Sequence, residues 1–322
     1  MKRLLRGTPD TLIAKAQNAL LKWYEKYGRH ELPWRNTDDV YHIYVSEIML
    51  QQTQVKRVME EYYPQFLQKF PTLKALGSAK EEEVLAAWSG LGYYSRARNL
   101  HATAKLCPTT LPKTQKELVR LPGIGRYTAS AIQSFAYHQR VGVVDTNIAR
   151  VIKRFFAHYK QSDDIIWKSA EEFVNPVYPT LHNQALMDLG SLVCLPTNPK
   201  CTECPLNLTC KGKEEAEFYT QKQKKVYEEL ELFYGIALKE GNIALIVSKG
   251  PMYKGLLELP AVDPVDEDYI AEFKHSYTKY RITVKIYRLH EPKSDVQWIS
   301  LEDANNAHIS SLTRKALRHL RG

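Results

Sequence analysis

The chain has 322 residues, 44% hydrophobic and 25% charged, which suits a folded protein long enough for two domains with cores of their own. Its 45 Lys and Arg outnumber 36 Asp and Glu, and the formal net charge of +9 points to a polyanionic partner, nucleic acid first. The apolar runs are too short to span a bilayer, and MKRLLRGTPD lacks the apolar stretch of an export signal, so no membrane is expected and the compartment is read as reducing and cytoplasmic.

From about Leu12 to Phe173 the pattern is helical, with Val45, Ile48, Met49, Gln52, Val55, Met59, Tyr62 and Tyr63 recurring at three and four residues. Breaks at Pro71, Gly77, Gly90 to Gly92, Pro108 to Pro112 and Pro122 to Gly125 divide this region into helices of ordinary length. An all-α domain is expected. Within YHIYVSEIMLQQTQV, Glu47 falls opposite Val45, Ile48, Met49 and Val55, yet Leu50 joins its side and the segment has few other polar residues. Both faces are therefore expected to be covered, and a carboxyl placed there would be desolvated and raised toward the range of a general acid.

LVRLPGIGRYTASAI reads as a helix ending near Leu121, a hairpin through Gly123 and Gly125, and a second helix. Glycines there let backbone N–H groups at a helix start face a phosphate. Twenty residues past the second glycine, Asp145 in VGVVDTNIARV stands at a helix start. A helix cap is its simpler role, and a second catalytic carboxyl opposite Glu47 the alternative, since paired carboxyls are recurring tools for breaking glycosidic bonds.

Four of the five cysteines follow in CLPTNPKCTECPLNLTC, spaced C-x6-C-x2-C-x5-C, while Cys107 is expected to be an ordinary buried thiol. The spacing favours a [4Fe-4S] cluster, with zinc and disulfides as the alternatives. The charged stretch 213–230 suits a solvated linker. Beyond it, Leu232 to Leu238 and Ile243 to Val247 flank Glu240-Gly241-Asn242 as a hairpin, Tyr280 to Leu289 alternates as a strand, and Ser311 to Leu320 is helical.

Together the segments LPWRNTDDVYHIYVSEIMLQQTQV, WSGLGYYSRARNLH, LPGIGRYTASAI, VVDTNIARV and LMDLGSLVC, followed by the cysteine run, resemble the adenine DNA glycosylases of the MutY family. The resemblance implies a mainly α, two-lobed helix-hairpin-helix glycosylase domain over 1–212 with an iron-sulfur loop at 194–210. A linker over 213–230 and a small α+β Nudix-like lesion-recognition domain over 231–322 would follow. It implies excision of adenine mispaired with 8-oxoguanine or guanine in double-stranded DNA, with Glu47 and Asp145 as the acids and Tyr127 and Asn147 supporting the sugar. Trp34, Arg35, Leu50 and Gln184 would form the adenine pocket, and Gln52, Tyr93, Gly123, Gly125 and Thr278 would contact DNA. Cys194, Cys201, Cys204 and Cys210 would hold the [4Fe-4S] cluster. A monomer in the bacterial cytoplasm, associated with the nucleoid, is expected.

Endonuclease III resembles the same motifs but has a lysine nucleophile where this chain has Tyr127. A phenol forms no Schiff base, so a monofunctional glycosylase without strand-cleaving lyase activity is expected. Thr146 replaces a glycine common in the family, Tyr277-Thr278-Lys279 replaces Phe-Ser-His, and the metal-binding glutamate box of active Nudix enzymes is missing. The rival readings are a thymine or uracil glycosylase acting opposite guanine, a non-catalytic iron-sulfur DNA-binding protein and a Nudix-type hydrolase.

Overall fold

Helix caps written into the sequence open five of the helices in the computed structural model, which describes residues 11–220, 226–277, 279–292, 295–305 and 309–319. Helix α1 (Leu12–Tyr27) leads through a 3-10 turn at Pro33–Arg35 to α2 (Val40–Leu50). Next, α3 (Val55–Arg57) runs through a π-helical turn (Val58–Tyr62) into α4 (Tyr63–Lys69), followed by α5 (Leu73–Ser78), α6 (Glu81–Ala87) and α7 (Ser95–Leu106). After these come α8 (Gln115–Leu118), α9 (Arg126–Phe135), α10 (Thr146–Phe156), α11 (Asp163–Phe173) and α12 (Pro179–Leu192). Thr11, Asp39, Thr72, Thr114 and Asp145 each accept a backbone N–H at a helix start, satisfying donors that the helix itself leaves free. The expected all-α region is borne out: no strand occurs among the described residues up to 220.

The chain divides into two compact units, Met1–Ala79 with Ser95–Lys222, and Lys80–Tyr94 with Gln223–Gly322. The first has a core built from one face each of α1, α2 and α9 to α12, with Leu20, Ile43, Ala131, Ile148, Ile152, Phe173 and Leu189 buried in it. Cys204, Leu206 and Cys210 pack on that same core. Helix α2 is covered all round, since every residue from Ile43 to Met49 is buried. Its C-terminus is held by the buried Arg96, whose Nη1 donates to the carbonyls of Ile48 (2.9 Å), Met49 (3.2 Å) and Gln51 (2.5 Å). These are the acceptors a helix end leaves unpaired.

Around the hairpin the structure corrects the expected boundaries. The first helix is the single turn α8, and residues 119–125 form turns rather than extending that helix to Leu121. Thr114 caps α8, and Leu121 N–H bonds the carbonyl of Leu118 to close the end. Gly123 has φ +72, and an added Cβ would lie 2.7 Å from the Asn99 side chain. Gly190 serves packing instead, because a Cβ there would lie 2.7 Å from Cβ of Asn147, so its absence lets α12 approach the start of α10.

In the second unit, β1 (Glu228–Ile236), β2 (Leu238–Lys239), β3 (Asn242–Val247) and β4 (Leu257–Glu258) precede β5 (Tyr269–Tyr277), β6 (Tyr280–Arg288), β7 (Gln297–Ser300) and α13 (Ser311–His319). One sheet has the order β1-β6-β5 with β1 parallel to β6, and the other has β2-β3-β4 with β7 also on β3. The expected hairpin is shorter than its sequence suggested: β2 pairs with β3 across Glu240-Gly241, whereas β1 leaves for the other sheet. The last residues of the charged stretch, from Glu228, are already strand. Both sheets and α13 share a core that includes Ile236, Leu245, Phe273, Val284, Leu312 and Ala316, and Tyr94 packs against it.

Gly123→Ala should destabilise the first unit by about 1–3 kcal/mol, because both its backbone angle and Asn99 oppose a side chain. Urea unfolding checks this; unchanged stability would show that the turn relaxes freely.

Candidate active site

A cleft of about 1270 Å³ in the first unit is lined by residues from α2, α9, α10 and α12, with Glu47, Tyr127, Asp145 and Gln184 among them. Glu47 reaches it from the middle of the fully covered α2 and is only 5% exposed. The Tyr127 hydroxyl, carried on α9, donates to Glu47 Oε2 at 2.6 Å. Burial pushes the Glu47 carboxyl up to about 7, the Tyr127 bond opposes this, the charge of Asp145 adds to it and Arg35 lowers it. Near neutral pH such a group is shared between acid and carboxylate. With Tyr127 on Oε2, Oε1 is the oxygen left to carry a transferable proton.

Asp145 is both cap and cleft residue, so the two readings of its position coexist. Its Oδ1 accepts the Ile148 N–H at 2.6 Å and its Oδ2 accepts Asn147 Nδ2 at 3.0 Å. Burial raises this carboxyl too, but those bonds favour its ionised form and oppose the rise. Asn147 is held in turn by Arg150, whose Nη2 donates to Asn147 Oδ1 at 2.9 Å and whose Nε donates to the Cys194 carbonyl at 2.7 Å. The cleft therefore presents two carboxyls in unlike surroundings: one bonded by a single phenol, the other by a helix start and an amide. Environments that separate the titration of two acids are what an acid and an ionised partner require.

Trp34, Arg35, Leu50 and Gln184 all line this cleft. Trp34 is edge-on to Tyr63 at 5.3 Å, and the Tyr24 hydroxyl donates to Gln184 Oε1 at 2.9 Å. Arg35 is committed to protein partners: Nη1 and Nη2 bond the buried Asp188 carboxylate at 2.7 and 2.9 Å, and Nη1 also reaches the Tyr24 hydroxyl at 3.3 Å. Gln52 lies at the cleft mouth, exposed and with φ 58, a backbone conformation uncommon outside glycine. Gly125 is the N-cap of α9 without a side-chain cap bond, and open space surrounds the position of its missing Cβ. The start of α9 is thus left without a side-chain cap. Tyr93 belongs to the second unit, 43% exposed and with φ 47. Thr278 lies outside the described residues.

The four clustered cysteines line one small cavity of about 30 Å³, together with Arg154 and Leu206, and none forms a disulfide. Burial pushes the Cys204 thiol up to about 12; a backbone N–H opposes this, and the charges of Cys194, Cys210 and Cys201 add to it. Four thiolates so placed need a cationic centre to be tolerable. Among the described residues no group of three or more His, Cys, Asp or Glu is arranged to hold a single metal ion. Four thiols lining one cavity are a donor set whose chemistry suits a soft metal centre. Cys107, expected to be buried, is only partly so.

Several residues that organise the site were missed in the sequence. Arg154, 2% exposed, donates to Ala216 O (2.6 Å), Leu195 O (2.6 Å), Pro196 O (3.0 Å) and Cys194 Sγ (3.3 Å), tying the cysteine loop to α10. Its signal was an arginine inside the apolar run RVIKRFF, one turn after Arg150. Asp188 is the only Asp, Glu, Lys or Arg in α12, and that isolation was the signal for a buried ion pair.

Residues 45–176 match the family described as HhH-GPD superfamily base excision DNA repair protein. The adenine DNA glycosylase of Buchnera aphidicola subsp. Baizongia pistaciae is 44% identical over 201 residues, covering 60% of this chain and 57% of the relative. The human adenine DNA glycosylase is 42% identical over 223 residues, 64% of this chain and 40% of that protein, so the chain spans about half the length of such relatives. That of Buchnera aphidicola subsp. Schizaphis graminum is 36% identical over 236 residues, 69% of this chain and 67% of the relative. Among solved structures, a thermostable thymine-DNA glycosylase matches with a TM-score of 0.59 at 27% identity, covering 63% of this chain and 97% of that one. An endonuclease III in complex with DNA matches with a TM-score of 0.55 at 20% identity over 65% of this chain and 98% of that one, which shows the shared fold. With the hairpin, the two acids and this identity over two thirds of a relative, the chain belongs to the adenine DNA glycosylase family.

Proposed function

We propose that the cleft hydrolyses the N-glycosidic bond of adenosine in double-stranded DNA, where the adenine is mispaired with 8-oxoguanine or guanine, as a step of base excision repair. The observation that carries this is the buried Glu47 carboxyl, pushed up to about 7 beside an Asp145 whose ionised form is hydrogen-bonded. The relatives' activity and the chain's net charge of +9 support the same reading.

A stacked base is out of reach of a carboxyl in a cleft, so the adenosine must first leave the duplex. Glu47 then gives its proton to N7 of adenine, and the C1′–N9 bond breaks with its electron pair going to the base. The positive charge left on the sugar is met by Asp145, oriented by Asn147. Water adds at C1′ and its proton returns to Glu47, which restores the starting state. Trp34, Leu50 and Gln184 enclose the base, while Arg35 supports the pocket. Tyr127 orients Glu47 and, being a phenol, forms no Schiff base, so the product is an abasic site in an intact strand. Gln52 wedges the stack, and the amides at Gly123 and Gly125 hold the backbone phosphates.

In this reading residues 1–212 excise, 231–322 inspect the opposite base through Tyr277-Thr278-Lys279, and 213–230 join them. Tyr93 lies in the same compact unit as Tyr277, and the two tyrosines interact electrostatically, which suits a joint role at the opposite base. Cys194, Cys201, Cys204 and Cys210 hold a [4Fe-4S] cluster, whose charge makes the four thiolates tolerable and which cross-links their loop. Lys200 and Lys211 beside it suit a phosphate backbone. The protein acts as a monomer in the bacterial cytoplasm, associated with the nucleoid.

Single-turnover excision on duplexes with A opposite 8-oxoguanine, A opposite G, T opposite G and U opposite G tests the substrate; preferential thymine or uracil release overturns it. Because Glu47 must be protonated, the rate should be high below its folded pKa and fall as pH rises through about 7. Glu47→Gln should bind the mismatch duplex yet lose about 10²–10⁴-fold in rate. Cys201→Ser should lose the broad visible absorption and the iron of the purified protein; stoichiometric zinc in the unsubstituted protein would overturn the cluster.

A further inference from the structure

The Asp188 side chain is 0% exposed and meets two arginines that enter from the segment between α1 and α2. Arg35 bonds it in two-pronged fashion at 2.7 and 2.9 Å. Arg29 bonds it through Nε (2.7 Å), Nη2 (2.5 Å) and its own backbone N–H (2.9 Å). A buried ion cluster of this kind seldom stabilises a fold more than apolar residues of equal volume would, so its geometry, more than its energy, calls for a reason.

The geometry continues into the cleft. Arg35 Nη1 donates to the Tyr24 hydroxyl oxygen at 3.3 Å, which leaves the Tyr24 proton to point at Gln184 Oε1, 2.9 Å away. Gln184 stands one turn before Asp188 on the same face of α12 and lines the cleft. With its carbonyl oxygen engaged, the amide NH2 is the group left for a ligand. We propose that Asp188 is a positioning residue, whose pairs with Arg29 and Arg35 lock Gln184 through the Tyr24 hydroxyl so that an amide donor, rather than a carbonyl acceptor, faces the base. This rests on the reading that the cleft receives adenine and deepens it: a fixed donor at that wall selects a base edge that offers an acceptor there.

The test uses the full-length protein and an adenine opposite 8-oxoguanine, with single-turnover excision measured and binding read on the non-cleavable 2′-fluoro-2′-deoxyadenosine duplex. Asp188→Asn and Tyr24→Phe should each weaken binding of the adenine duplex by roughly threefold to tenfold relative to a duplex with an abasic analogue, and Asp188→Glu should restore part of the loss. A folded Asp188→Asn protein with an unchanged preference for the adenine duplex over the abasic analogue overturns the proposal. Should that variant not fold, Tyr24→Phe decides alone: unchanged preference for the adenine duplex over the abasic analogue overturns it. If the unsubstituted protein released no adenine, the parent reading would fail as well, which is a distinct result.

Discussion

Placing a carboxyl group in the middle of a helix that has no solvent face is the constraint on which the rest of this site depends. Every residue of α2 from Ile43 to Met49 is buried, so Glu47 has little water to stabilise its charge. It has one phenol at 2.6 Å in place of water, and the result is an acid held near neutrality. Desolvation of this kind is available only where neighbouring helices close over both faces. The packing of α1, α2 and α9 to α12 into one core is thus a chemical requirement as well as a source of stability.

Arginines join that core to the elements around it. Arg96 closes the exposed carbonyl end of α2 and so holds the turn that carries Gln52. Arg150 and Arg154, one turn apart on α10, take hold of the cysteine loop from the helix that Asp145 caps. Arg150 and Arg154 each bond carbonyls through different nitrogens, which suits guanidinium and not ammonium. Their use has a common physical basis: irregular backbone between helices leaves carbonyls that must be bonded, and one arginine can bond several.

Residues 80–94 interrupt the first unit in sequence and belong to the second in space. Trp88 and Val84 are buried there, Tyr94 packs on the core of the second unit, and Ser89 receives a hydrogen bond from Arg314 of α13 at 3.3 Å. A strictly sequential division of the chain therefore does not describe how its cores are built. Tyr93, exposed in left-handed backbone, is presented by this inserted segment.

How much was legible in the sequence varied with the range of the interaction. Helices, the cap at Asp145, the coverage of α2 and the strand at Tyr280 were readable because they rest on local periodicity and on side chains a few residues from the groups they bond. The hairpin helix ended earlier than expected, at Leu118, because turns that close on backbone carbonyls take over before the glycines. The strand β1 went to β6 rather than to its neighbour in sequence, since pairing is decided by which buried faces meet. By itself the sequence determined which residue types could do chemistry: two isolated acids, a phenol in place of a lysine, and four thiols at close spacing. Only the tertiary structure decided that Glu47 is desolvated while Asp145 keeps its hydrogen bonds, and that Arg35 is bound to Asp188, 153 residues away. Solvation and ion pairing depend on what distant segments bring alongside, and no local pattern records that.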